Sequence, residues 1–237
     1  VCSSELVLNN ALVGYLSAGA STTSPAGRDI FHIGDTLGLG GLFLRSAGTV
    51  FRPPMNTPDY AHRPAQQEEP TYRVLATGPV RAVIEASIDH WTLGKDAVKL
   101  DAIYSIAANS EVVECQFRIL PVSLSHTYDV GAGIRHLPNM QMDNATGRLA
   151  LEGEQSPSIG PLGLALYFDP EEAVDAGTLK THEADNSIAI FKTRLEPGHA
   201  VTGHYWMAAD WSGSGIHNLL AHLAEVEQQA HASVAIG

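Results

Sequence analysis

Three runs of this chain alternate strictly between apolar and polar residues. In "VRAVIEASI" (80–88), Val80, Ala82, Ile84, Ala86 and Ile88 share one face, and Arg81, Glu85 and Ser87 share the other. In "VKLDAIYSI" (98–106), Leu100, Ala102, Tyr104 and Ile106 oppose Lys99, Asp101 and Ser105. In "VVECQFRIL" (112–120), Val113, Cys115, Phe117 and Ile119 oppose Glu114, Gln116 and Arg118. Successive side chains of a strand point to opposite faces, so a period of two marks strands with one buried and one wetter face. The pattern predicts three consecutive antiparallel strands of one sheet, joined by "WTLGKDA" (91–97) and "AANSE" (107–111).

Further strands are expected in "LFLRSA", "YDVGAGIRH", "RLALE", "LGLALYF", "SIAIFK" and "AVTGHYWMA". One segment has helical spacing: "IHNLLAHLAEVEQQAHASV" places Leu219, Leu220, Leu223 and Val226 on one stripe. The proline-rich stretch 52–72 reads as a long loop. The expected fold class is all-β: an antiparallel β-sandwich with one C-terminal helix, as a single domain over 1–237.

A formal charge of −12 with 14 Lys and Arg leaves no basic patch for nucleic acid. It also disfavours an anionic membrane surface, and no apolar run is long enough for a helical span. Of the two cysteines, Cys115 falls in a strand pattern and is expected to be a buried free thiol. The start, "VCSSELVLNN", looks processed or truncated.

Candidate chemistry begins with "DIFHIGDTLGLGG" (29–41). It has neither the G-x-G-x-x-G of a dinucleotide fold nor the Gly-Lys-Ser/Thr of a P-loop. It is either a turn with polar capping or a ligand loop in which glycines allow close approach and His32 and Asp35 face a cleft. Arg135 and His136 end the strand "VGAGIRH"; an Arg beside a His suits an acidic sugar, the one as a fork for carboxylate, the other as a proton carrier. In "HYWMAAD", His204 and Trp206 share a face, so Trp206 is either a stacking platform for a sugar or a residue packed under the C-terminal helix. Asp210 follows as a candidate binding residue or a turn residue. Arg81 and Glu85 form either an ion-pair ladder with Arg118 and Glu114 or part of a binding face. His90 is placed at a cleft rim. His32, His136 and His204 could hold a divalent metal, but no H-x-H or H-E-x-x-H spacing supports one, and no cofactor is expected.

Four motifs in order, "DIFHIGDTLGLGG", "YRVLATGPVRAVIEASIDHW", "VGAGIRH" and "HYWMAADWSGSGI", resemble the bacterial domain-of-unknown-function family 4861 over roughly residues 25 to 225. That family is similar to the β-supersandwich, galactose-mutarotase-like carbohydrate enzymes. The resemblance implies that the chain is the C-terminal part of a longer family domain, periplasmic or extracellular. A homo-oligomer or second chain would then cover its sheet edges. It also implies an oligosaccharide substrate and a carbon–oxygen lyase acting by β-elimination on uronate-containing oligosaccharides, a dehydratase if water leaves or a polysaccharide lyase if a glycosyl oxygen leaves. For that chemistry Arg135 is expected to neutralise the carboxylate, His32 or His136 to be the base and His204 or a tyrosine the acid, with Asp35, Arg81, His90, Trp206 and Asp210 holding the sugar. A glycoside hydrolase or epimerase of the same fold, and a non-catalytic carbohydrate-binding module, stay open.

Overall fold

The computed structural model describes residues 23–24, 27–28, 36–53, 70–108, 110, 112–154, 161–210, 219–221 and 223–234. Among the described residues fifteen strands follow in order: β1 (Thr23–Ser24), β2 (Gly27–Arg28), β3 (Leu39–Ser46), β4 (Thr49–Phe51), β5 (Thr71–Thr77), β6 (Arg81–Leu93), β7 (Asp96–Ala107), β8 (Val112–Ser123), β9 (Asp129–Arg135), β10 (Gln141–Met142), β11 (Arg148–Glu154), β12 (Pro161–Tyr167), β13 (Ala173–Lys180), β14 (Asp185–Phe191) and β15 (Val201–Asp210). A 3-10 turn at Leu219–Ala221 precedes the helix α1 (Leu223–Val234).

The three alternating runs are β6, β7 and β8, neighbours in an eight-stranded sheet of order β10-β11-β12-β15-β8-β7-β6-β5. A five-stranded sheet, β13-β14-β9-β3-β4, lies over it. The hairpin between β6 and β7 is tighter than the sequence suggested. Both strands run on to a two-residue turn in which Gly94 takes a φ of 74°, and Trp91 is wholly buried in the core. Glycine is the residue that adopts this left-handed conformation without steric cost. Strands β5 and β13, which the pattern did not single out, are mostly exposed and lack alternation.

The main core lies between the sheets. Leu100, Ala102, Tyr104, Val113, Cys115, Phe117, Ile119, Tyr205 and Met207 of the large sheet meet Leu42, Leu44, Val130, Ala132, Ile134 and Phe191 of the small one. Cys115 is a buried free thiol, its pKa pushed up to about 12 by burial. The outer face of the large sheet is divided. Helix α1 covers one half, where Leu219, Leu223, Val226 and Ala230 pack on Ala150, Ala165, Tyr167, Trp206 and Ala208. The other half carries polar residues and is open.

The glycine-rich stretch enters the described residues at Thr36. Its glycines serve the sandwich itself. Gly38 and Gly40 have φ of 60° and 72°, and β3 bulges between Leu39 and Gly41. A Cβ on Gly41 would stand 2.2 Å from the Leu37 carbonyl oxygen, and one on Gly40 would stand 2.7 Å from the sulfur of Met207. The Gly40 carbonyl accepts the hydroxyl of Tyr205, and the Thr36 hydroxyl accepts the Gly38 N–H. For Thr36–Gly41 the capped turn is therefore the right alternative, with close approach made to the opposite sheet. His32 and Asp35 lie outside the described residues.

Candidate functional site

Strand register turns the polar half of the large sheet into a grid. One row crosses five strands as Arg73, Glu85, Ile103, Gln116 and His204, each directly opposite the next. The next row toward one end is Ser87, Asp101, Arg118 and Thr202. On the other side lie Ser105, Glu114 and Trp206. Together these rows line an open cleft of about 920 Å³, with Ser105 and Trp206 outside the lining and Glu172 closing one edge. Neighbouring strands are about 4.8 Å apart, so the central row spans about 19 Å.

The floor is held by paired charges. Glu114, 8% exposed, accepts hydrogen bonds from Arg81 (3.1 Å), the Ser105 hydroxyl (3.2 Å) and the Gln116 amide (2.9 Å). Arg73 and Glu85 pair at 2.8 Å. Lys99 lies 2.8 Å from Asp89 and 3.4 Å from Asp101, and these carboxylates hold its ammonium pKa above the usual value. Arg118 forms no ion pair among the described residues and is exposed within the cleft. At the edge, His204 Nδ1 lies 3.3 Å from Glu172 Oε2. A carboxylate on one ring nitrogen fixes the imidazole's orientation and leaves Nε2 for a ligand. His204 and Arg118 are diagonal neighbours across β15 and β8, a relation that sets Cβ atoms roughly 7–8 Å apart.

The sequence candidates fall in several places. His204 and Arg81 line the cleft, and Arg81 is the ladder partner of Glu114. Trp206 shares the face of His204, and their rings meet edge-on at 4.7 Å. It is 2% exposed under α1, which rules out a sugar platform: its ring faces are already covered by protein. His90 is exposed in the bulge of β6 between Ile88 and Trp91 and does not line the cleft. Asp210 ends β15 opposite Gly163, at the helix-covered end, where burial of Glu152 and then the charge of Asp210 raise the Glu152 pKa.

Arg135 and His136 stand in the small sheet. The Arg135 N–H donates to the Gly38 carbonyl, and His136 Nε2 lies 2.9 Å from the Ser187 hydroxyl. Arg135 is opposite Asn186 near the start of β14, whereas Glu172 adjoins Ala173, opposite Phe191 at its end. Five residues of strand separate the two places by about 17 Å. The Arg135–His136 pair and the His204 edge therefore do not share a cleft, and a metal site joining His136 to His204 is not assembled. Burial depresses the pKa of both Arg135 and His136, as expected for cations losing water.

The signal for the cleft was present in the alternating runs, whose polar members are its floor. Glu172 had none: it reaches His204 through a loop whose turn is closed by Asp169 accepting the N–H groups of Glu171 and Glu172.

The family model described as Domain of unknown function (DUF4861) matches residues 17–234. No curated protein sequence matches the chain. Among solved structures it is similar to a candidate kojibiose phosphorylase from human microbiome, with 6% identity and a TM-score of 0.48 over 80% of this chain and 25% of that one. It is also similar to the GH36 α-galactosidase AgaA from Geobacillus stearothermophilus, with 10% identity and a TM-score of 0.33 over 73% of this chain and 30% of that one. The chain thus spans less than a third of the length of either.

Proposed function

We propose, from the premise that the chain belongs to the DUF4861 family, that it is a carbohydrate-active carbon–oxygen lyase, a dehydratase acting by β-elimination on a uronate-containing oligosaccharide. The observation that carries the reading is the pairing of an oriented imidazole with a cation that has no ion-pair partner among the described residues. His204 is held by Glu172, and Arg118 lies diagonal to it in the same cleft.

β-Elimination from a uronate needs the carboxylate neutralised so that the proton beside it becomes acidic. Arg118 takes the role expected of Arg135, because its planar fork matches a carboxylate and no protein carboxylate among the described residues occupies it. His204 Nε2 removes the α-proton. The C–H electrons form the carbon–carbon double bond, and the β-oxygen leaves with a proton as water. The His204 imidazolium, stabilised by Glu172, supplies that proton. The hydrolase alternative asks for two free carboxylates. Of the four carboxylates that line the cleft, Glu114 accepts three hydrogen bonds, Glu85 pairs with Arg73, Asp101 with Lys99 and Glu172 with His204, so each already has a partner and the cleft favours elimination.

Steady-state kinetics on a uronate oligosaccharide, followed by the ultraviolet absorbance of the conjugated product, test this reading. His204→Ala is expected to lower kcat about 10²-fold or more. Glu172→Gln, a loss of orientation, is expected to cost less. Arg118→Met is expected to weaken turnover of the uronate and spare binding of its neutral alcohol analogue. Undiminished turnover in His204→Ala would overturn the assignment.

A further inference from the structure

We propose that Ile103 is a second sugar subsite, one that makes the enzyme select an oligosaccharide with a neutral residue beside the uronate; the inference rests on the uronate reading above. Ile103 is a half-buried apolar side chain at the middle of a floor whose other lining residues are polar except Gly203 and the core-buried Phe117. Register sets it opposite Glu85 on one strand and Gln116 on the other, in the row that ends at His204.

A sugar ring presents an apolar C–H face and a rim of hydroxyls. Ile103 offers the matching apolar patch, flanked by an acceptor and an amide. Both flanking groups are already fixed, Glu85 by Arg73 at 2.8 Å and Gln116 by Glu114 at 2.9 Å, so little order has to be imposed on binding. Ile103 lies two strands from His204, about 10 Å. A uronate ring seated between His204 of β15 and Arg118 of β8 is centred about half a strand spacing along this row, which leaves about 7 Å to Ile103, within contact of the adjoining ring. The cleft, at about 920 Å³, is near the upper end of small-ligand sites and exceeds what one ring fills. With Arg73 and Glu85 neutralising each other, this position carries no spare cation for a second carboxylate.

The test compares Ile103→Asn and Ile103→Val with the wild type on two probes, a uronate-terminated disaccharide and the free uronate monosaccharide. In Ile103→Asn the ratio of kcat/KM for disaccharide over monosaccharide is expected to fall about tenfold, the scale of losing a small apolar contact. Ile103→Val, which keeps an apolar face, should retain most of the ratio. An unchanged ratio in Ile103→Asn would overturn the subsite. A second arm is independent of turnover: saturation-transfer NMR with the neutral disaccharide cellobiose should show contact with the wild type that is lost in Ile103→Asn. If no uronate is eliminated by the wild type, the lyase reading fails while this arm still decides the subsite. Equal transfer in wild type and variant would overturn it.

Discussion

Single residues here divide by how completely their polar atoms are satisfied. Asp96, 3% exposed, begins β7 and accepts hydrogen bonds from the Ser125 N–H (3.0 Å), the Ser125 hydroxyl (2.6 Å) and the Tyr128 hydroxyl (2.8 Å), with His126 Nδ1 at 2.9 Å. Burial alone would raise its pKa, but those partners together outweigh it, stabilise the ionised form and hold the pKa far below the ordinary carboxylate value of 3.8. The unfolded chain therefore binds this proton more readily than the folded one. Its contribution to stability is complete above the unfolded pKa and is lost as pH falls through that value toward the depressed one. Asp96→Ala should cost about 3 kcal/mol at neutral pH, since it strands buried donors as well as removing their acceptor. Urea denaturation across pH 2 to 7 should show the wild type losing its advantage over the variant only on the acid side. Glu114 likewise accepts three hydrogen bonds, and that is why it is assigned to the floor and His204 is proposed as the working residue.

At the scale of elements, the contrast between Gly41 and Gly48 separates close packing from turn geometry. Gly41→Ala drives a Cβ into the Leu37 carbonyl and should cost about 3 kcal/mol or more. Gly48 has a φ of 82° with open space around it, so Gly48→Ala should cost about 1 kcal/mol. Thermal unfolding of the two variants checks the order. The alternation in β6, β7 and β8 was legible because one face of each strand is core and the other is cleft; period two reports that division directly. Helix α1 was legible from its leucine stripe. The roles of Trp206 and of the glycines were not, because each depends on a partner far along the chain. Trp206 meets residues of α1, and Gly40 meets Met207. A stacking tryptophan and a buried one have the same local sequence. Likewise Arg135 beside His136 looks like a site until register shows that the small sheet carries them away from His204.

For the whole molecule, the large sheet extends past the small one to β5, which is exposed along its length and shows Tyr72, Val74 and Leu75 to solvent. An apolar edge with no partner strand among the described residues is a template for strand addition. Val74→Lys should therefore raise the concentration at which light scattering first appears, without moving the thermal midpoint by more than a few degrees. The same long sheet gives the molecule one covered outer half and one open polar half, and the proposed chemistry is assigned to the open half. That placement is tested most directly by the mass of the product formed from uronate oligosaccharides. Loss of one water per turnover is expected with the wild type, and the same product formed about 10²-fold more slowly with His204→Ala. A gain of one water, or an unaltered rate of product formation by His204→Ala, would contradict it.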